Sequence, residues 1–324
     1  MKKECSDNIF YDCKYINLRL YMLTALIWTF VTALFFATIS ATVSFLARDK
    51  MSGFHFFTIG NLSASAIAWI ILPNWSMAGE IHWGMLFLFT LVTGIVNTAS
   101  QAMLVLTLKL GHNGLTIAIR NLAAVLSMFF ALIFLHEKVS LVNFAGVALI
   151  IVSLTLIAVF SKKDSVSSDL KKWLPSVIIA LLLSGTYQIL LTGSLLLPEA
   201  TRRAGVLTPA LFMGCGISNL AISLFEVFVR KTQFGAGIFN RRTLIVTGCW
   251  VAAAILQYFA LFQALDAMKK CGMAALAWPL IIAINTSCFA VFCRLRWKEK
   301  YPLTTIFGMI GCILGVILTI WGRK

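Results

Sequence analysis

Arg120 is the only charged residue well inside an apolar run of this 324-residue chain. Charge at membrane depth is costly, so an arginine there needs a partner or a purpose. Its fork of donors could hold a carboxylate or phosphate through two parallel hydrogen bonds. Alternatively, it could snorkel to a nearby surface or bond to helix carbonyls. Other polar groups fall at helical spacing. Asn97 and Gln101 are four apart and share one helix face, as do Ser184 and Gln188, with Tyr187 beside them. Trp250 and Gln257 are seven apart, as are Trp278 and Asn285. Two helical turns return a side chain to nearly the same face. Each of these last pairs puts an indole and an amide on one stripe, which suits a sugar ring or another flat polar solute. Such amides also serve as interhelical glue, at about 0.6–2 kcal/mol per bond.

No constellation for catalysis or metal binding accompanies these residues. The eight cysteines (5, 13, 215, 249, 271, 288, 293 and 312) contain no CxxC pair, and the four histidines (55, 82, 112 and 136) are scattered. A metal site needs clustered ligands at fixed spacing. Paired aspartates, a GxSxG elbow and a GxxxxGK[ST] phosphate loop are missing as well. No cofactor is expected, and the intramembrane cysteines are expected to act as small apolar fillers.

The elements that must position these residues are membrane helices. The chain is 60% hydrophobic and 12% charged, with a mean hydropathy of +0.91. A soluble domain carries about 25% charged residues. The apolar residues gather into runs of about 20, enough to cross a hydrocarbon core of about 30 Å. Ten spans are expected: Leu20–Ala47, Phe54–Leu72, Trp83–Leu108, Asn113–Leu135, Leu141–Phe160, Trp173–Leu197, Gly205–Val229, Thr243–Leu265, Gly272–Phe292 and Pro302–Trp321. Helix is the expected form, because lipid forces each segment to satisfy its own backbone groups and no strand alternation is present. Residues 1–19 read as a polar tail, with the first span as an uncleaved insertion signal, and residues 322–324 as a short C-terminal tail. The net charge of +15 sits almost wholly in short loops, which suits a bilayer and excludes a nucleic-acid surface. Basic residues divide nearly evenly between the two sides, so charge alone does not orient the chain. Trp75, Trp83, Trp173, Trp297 and Trp321 fall at span ends as interfacial anchors.

The polar break Ser161–Lys172 leaves five spans on either side, giving repeats over 20–160 and 173–321. The pattern E-K-x2-L-x4-G after the fourth span (Glu137, Lys138, Leu141, Gly146) recurs 162 residues later as Glu299, Lys300, Leu303 and Gly308. A five-span unit ends on the side opposite its start, so its duplicate inserts inverted. Inverted repeats are a recurring transporter plan with the site near the midplane.

The ten-span, five-plus-five arrangement with Leu135-His136-Glu137-Lys138 and Gly146, and Lys298-Glu299-Lys300 and Gly308, resembles the EamA-type proteins of the drug/metabolite transporter superfamily. In that family the glutamate commonly follows glycine; here His136 and Lys298 stand in its place. The family also often has a proline within the fourth span of each half. This chain has none in span four, and Pro279 lies nearer the start of span nine. Trp278-Pro279, Asn285 and Trp297-Lys298-Glu299 are similar to a stretch of the ten-span rhamnose–proton symporters. The resemblance implies a multi-pass permease of a plasma or inner membrane that moves a small polar metabolite by alternating access. A sugar or polyol is slightly favoured over an organic anion or amino acid.

A membrane-embedded enzyme and a receptor or structural subunit are the alternatives. No titratable acid lies deep in a span. Glu226 is expected to pair at the surface with Arg230, and Glu137 and Glu299 with Lys138 and Lys300. Pro279 is expected to kink span nine. Gly311 and Gly315 form a GxxxG that fits a close helix contact, either within the fold or in a homodimer.

Overall fold

The computed structural model describes residues 20–42, 53–73, 75–110, 116, 119–160, 170–231, 240–297 and 303–321. All regular structure among the described residues is helical. The long helices are α1 (Leu20–Thr42), α2 (Gly53–Ile71), α3 (Trp83–Leu110), α4 (Ala123–Phe134), α5 (Leu141–Phe160), α6 (Leu170–Gly193), α7 (Ala204–Arg230), α8 (Arg241–Lys270), α9 (Ala277–Trp297) and α10 (Leu303–Trp321). Among the described residues, seven stretches are long and apolar enough to cross a membrane, and Ile119–Phe134, Leu141–Ile157 and Ile306–Trp321 are shorter apolar helices. The chain is therefore a multi-pass membrane protein, helical throughout its described elements. Its apolar side chains cover both the interior and the outer surface, where Ile70, Leu141, Phe228 and Leu295 are among the exposed ones.

Several boundaries differ from the sequence expectation. α6 begins at Leu170, so the end of the expected linker Ser161–Lys172 is helix; residues 161–169 lie outside the described set. α9 starts later than Gly272. The chain first turns through Gly272 at φ 64°, then makes a 3-10 turn over Ala274–Leu276. Pro279 is thus the third residue of α9, in the first turn, where a missing N–H breaks nothing. It does not kink the span from within. The prolines inside helices are Pro175 in α6 and Pro209 in α7. Span four is interrupted at Leu122, where i to i+3 bonds (Leu122 N–H to Ile119 O, Val125 N–H to Leu122 O) join the helical turn carrying Arg120 to α4. Most of 111–118, the expected start of that span, lies outside the described residues.

Without a hydrophobic drive between helices in lipid, close packing must come from small residues. The most extensive helix pairs are α5 with α10 and α2 with α7. At the first, Gly146, Gly308, Gly311 and Gly315 let the two backbones touch, and a side chain at Gly315 would meet Gly146 O at 2.8 Å. Asn143 Nδ2 donates to Thr319 O across the same seam. The GxxxG of α10 is therefore spent on a contact within the fold.

The Glu137 carboxylate does not simply face Lys138. It accepts from Ala274 N–H at 2.8 Å and Ala275 N–H at 2.7 Å, covering the exposed donors at the entry to α9. Glu299 lies outside the described residues. His136, just before Glu137, adopts φ 52°, the left-handed region that glycine enters freely. That conformation explains why glycine suits this position. His136→Gly is expected to raise thermal stability by about 0.5–1 kcal/mol, because the exposed imidazole gives up no packing. A lower melting temperature in His136→Gly would show that the turn is held by the imidazole instead.

Candidate functional site

Four helices (α3, α6, α7 and α8) and the turn before α4 bring polar side chains together. Arg120, on the broken turn before α4, donates from Nε to Ser184 Oγ of α6 at 3.0 Å. Ser184 Oγ also shares a 2.8 Å hydrogen bond with Ser100 Oγ of α3. One turn along α6, the Tyr187 hydroxyl lies 2.7 Å from the Tyr258 hydroxyl of α8. Arg120 is close enough to both tyrosines for its charge to act on them. Asn97 of α3 donates from Nδ2 to Cys215 Sγ of α7 at 3.5 Å, and Cys215 is in electrostatic range of both tyrosines. Gln101 is half-buried one turn along α3 from Asn97.

Arg120 itself is only half-buried, so part of its surface faces open space. Among the described residues no carboxylate lies within ion-pair distance of it; the acids in ion pairs are Glu226 and Asp266. The guanidinium therefore sits among hydroxyls at mid-span, with no counter-charge among the described residues. Two amide oxygens, Gln188 Oε1 and Asn285 Oδ1, are buried without a hydrogen-bond partner. An unmet buried acceptor costs about 1–3 kcal/mol.

The structure does not bring the two indoles to this cluster. Trp250 is 5% exposed and packs edge-on against Phe56 and Phe57 of α2, at ring distances of 5.5 and 5.9 Å. Gly60 makes room for it, since a Cβ there would lie 2.8 Å from the indole. Trp278 is 4% exposed and donates from Nε1 to Thr192 Oγ1 at 3.0 Å. Both rings serve helix packing and leave no free face for a sugar. Gln257 is 4% exposed beside Tyr258, so it stays near the cluster without Trp250. Tyr258, Cys215 and Ser100 are members that sequence reasoning missed. Tyr258 had a signal: like Tyr187, it is a tyrosine deep in an apolar run, and a buried phenol seeks a partner.

The side chain of Arg230, the expected partner of Glu226, lies outside the described residues, and Glu226 has a further neighbour. It faces His55 of α2, with Nε2 at 3.9 Å from the carboxylate, at the end of the bundle where α2 starts and α7 finishes. Trp173 turns inward, donating from Nε1 to Thr116 Oγ1 at 3.0 Å, and is not a simple interfacial anchor.

At the opposite end, where α2 and α8 finish and α7 starts, a cavity of about 370 Å³ opens. It is lined by Arg202, Arg203 and Gly205 at the start of α7 and by Phe259, Gln263, Asp266 and Lys270 along one face of α8. From Lys270 to Phe259 is eleven residues, about 16 Å of helix at 1.5 Å per residue. The inner end of the cavity thus lies one residue from Tyr258. No group of three or more His, Cys, Asp or Glu among the described residues could hold a metal.

The comparisons with known proteins agree with this picture. Residues 23–159 match the EamA-like transporter family. A curated Sinorhizobium protein, called an uncharacterized transporter in the cobO 3' region, is 35% identical over 87 residues. That stretch is 27% of this chain and spans 61% of the relative's length. A solved structure described only as "Crystal structure of protein" superposes with a TM-score of 0.69 over 92% of this chain and 97% of its own, at 13% identity. At that identity the likeness speaks for the fold alone. The first half of this membrane protein, residues 23–159, is thus similar to the EamA-like transporter family, and nearly the whole chain shares its helical fold with a solved structure.

Proposed function

We propose that the protein is a secondary transporter for a small solute carrying a carboxylate or similar anionic group, in a plasma or inner membrane. The observation that carries this reading is Arg120: a mid-span guanidinium with hydroxyl neighbours and no carboxylate among the described residues. Intramembrane charge is retained where it works. An anionic ligand would supply the missing counter-charge through charge-assisted bonds. Tyr187, Tyr258 and Asn97 would frame the rest of the solute. Gln188 and Asn285, with unmet oxygens, would take its donors, such as an ammonium or hydroxyl. An organic acid or an amino acid fits this set better than a plain sugar, because both indoles are buried in packing.

The ten spans expected from the sequence, arranged as two inverted five-helix repeats, would support alternating access. The helices at the same position in each half, α2 with α7 and α5 with α10, make the most extensive contacts, as an axis between halves requires. Breaks at Leu122 and at Ala274–Leu276 fall at the entries to the fourth and ninth helices. Discontinuous helices at matching places are a feature of such sites. The cavity leads from one end towards the cluster, which is the shape of one open state.

The test is counterflow in proteoliposomes, with amino acids, dicarboxylates, hexoses and polyols as separate panels. Saturable exchange of a carboxylate-bearing solute is the expected result. Exchange confined to hexoses or polyols would overturn the anionic reading and leave the transporter reading in place.

A further inference from the structure

We propose that the cavity mouth holds a second anion-binding station, separate from Arg120, that takes a phosphate or carboxylate group before it reaches mid-span. Three cations line it: Arg202, Arg203 and Lys270. Against them stand Asp266 and the exposed Glu199. Asp266 is already shared, with Oδ1 at 3.3 Å from Arg202 Nε and Oδ2 at 2.8 Å from Lys270 Nζ. It holds the two cations in place across the cleft, one from the α6–α7 connection and one from α8, while leaving the lining net positive. The backbone at the start of α7 adds to the same field. Ala204 and Gly205 line the cavity, and the first helical bonds are made by Val206 and Leu207 to Arg203 O, so the two preceding N–H groups lie at the positive end of a 27-residue helix.

With three cations against two carboxylates, the cleft carries a net positive charge between low-dielectric walls, which draws anions in and speeds their capture. The volume of about 370 Å³ suits a metabolite-sized group. Phe259 and Phe262 on the inner wall would take an apolar portion of the solute. The station rests on the transporter reading only for the direction of travel, not for the binding itself. The anionic group could belong to a soluble solute or to a lipid headgroup, since the cavity lies at one end of the bundle.

Inorganic phosphate is the probe. Thermal unfolding of the full chain would be followed against phosphate concentration, in detergent and in phosphatidylcholine nanodiscs with and without phosphatidylglycerol. Wild type and Arg120→Gln are expected to be stabilised alike. Arg202→Gln/Arg203→Gln should need roughly tenfold more phosphate or greater, the scale of losing charge-assisted bonds. Glu199→Gln, which folds without a lost cation, should shift the response the other way by about two- to threefold. Stabilisation by phosphatidylglycerol in place of phosphate, lost in the same double variant, would support the station and assign it to a lipid headgroup. A phosphate response lost in Arg120→Gln and kept in the double variant would overturn it. So would no response to either anion. If the response is lost in the double variant while no solute exchanges, the station stands and the transport reading fails.

Discussion

Arg120→Ala is expected to cut carboxylate exchange by about a hundredfold or more while leaving the unliganded protein at least as stable as wild type. The first half follows from the geometry at mid-span. An anion held there loses its charge-assisted bonds to the guanidinium, and truncating one partner of a buried, hydrogen-bonded charge pair costs about 2–5 kcal/mol. The second half follows from the absence of a carboxylate among the described residues around Arg120. A half-buried charge with a hydroxyl but no counter-charge among the described residues is a burden on the fold, and removing it relieves that burden. Ser184, which loses its arginine donor, keeps its bond to Ser100. Arg120→Lys would retain charge but not the two-pronged geometry, and is expected to fall between, at about a tenfold loss. Initial rates in proteoliposomes and unfolding in detergent read the two halves separately. Full exchange by a well-folded Arg120→Ala protein would remove the arginine from the site. A severe loss of stability would recast it as a structural tie between α4 and α6.

Gly214→Leu is expected to destabilise the protein by about 3 kcal/mol or more, enough to lose most of the folded yield. At the α3–α7 crossing the two backbones touch through Gly94 and Gly214. A Cβ on Gly214 would collide with Thr90 O, and one on Gly94 would collide with the Gly214 carbonyl carbon. Backbone atoms cannot rotate away as a side chain can, so the helices themselves would have to part. That separation would also pull Asn97 away from Cys215 and open the polar cluster. Gly248→Ala, in α8 with nothing within 4 Å of the added carbon, is the matched control and should be neutral or gain up to about 1 kcal/mol from helix propensity. Fluorescence-detected size exclusion after a heating series would rank the three proteins. Equal stability of Gly214→Leu and wild type would mean that the close crossing is not how these helices meet.

The sequence by itself determined that the chain is a set of membrane helices, and roughly where each lies. The reason is local: apolar runs of span length leave the backbone no option but to satisfy its bonds within each segment. It also singled out Arg120, since one charge in an apolar run is conspicuous wherever that run packs. The polar break at Ser161–Lys172 and the recurrence of Glu-Lys at 137 and 299 were equally visible as pattern. What the sequence left open was which helix faces meet. In a soluble protein, apolar periodicity marks the inward face. In lipid, both faces are apolar, so that signal fades and helical spacing says only which residues share a stripe. Hence Trp250 and Gln257 read as one binding stripe, yet Trp250 packs into α2 while Tyr258 meets Tyr187 from 71 residues away in the chain. For the same reason Glu137 looked like a surface partner for Lys138. Only the tertiary structure placed its carboxylate on the N–H groups of Ala274 and Ala275, where a helix entry needed an acceptor.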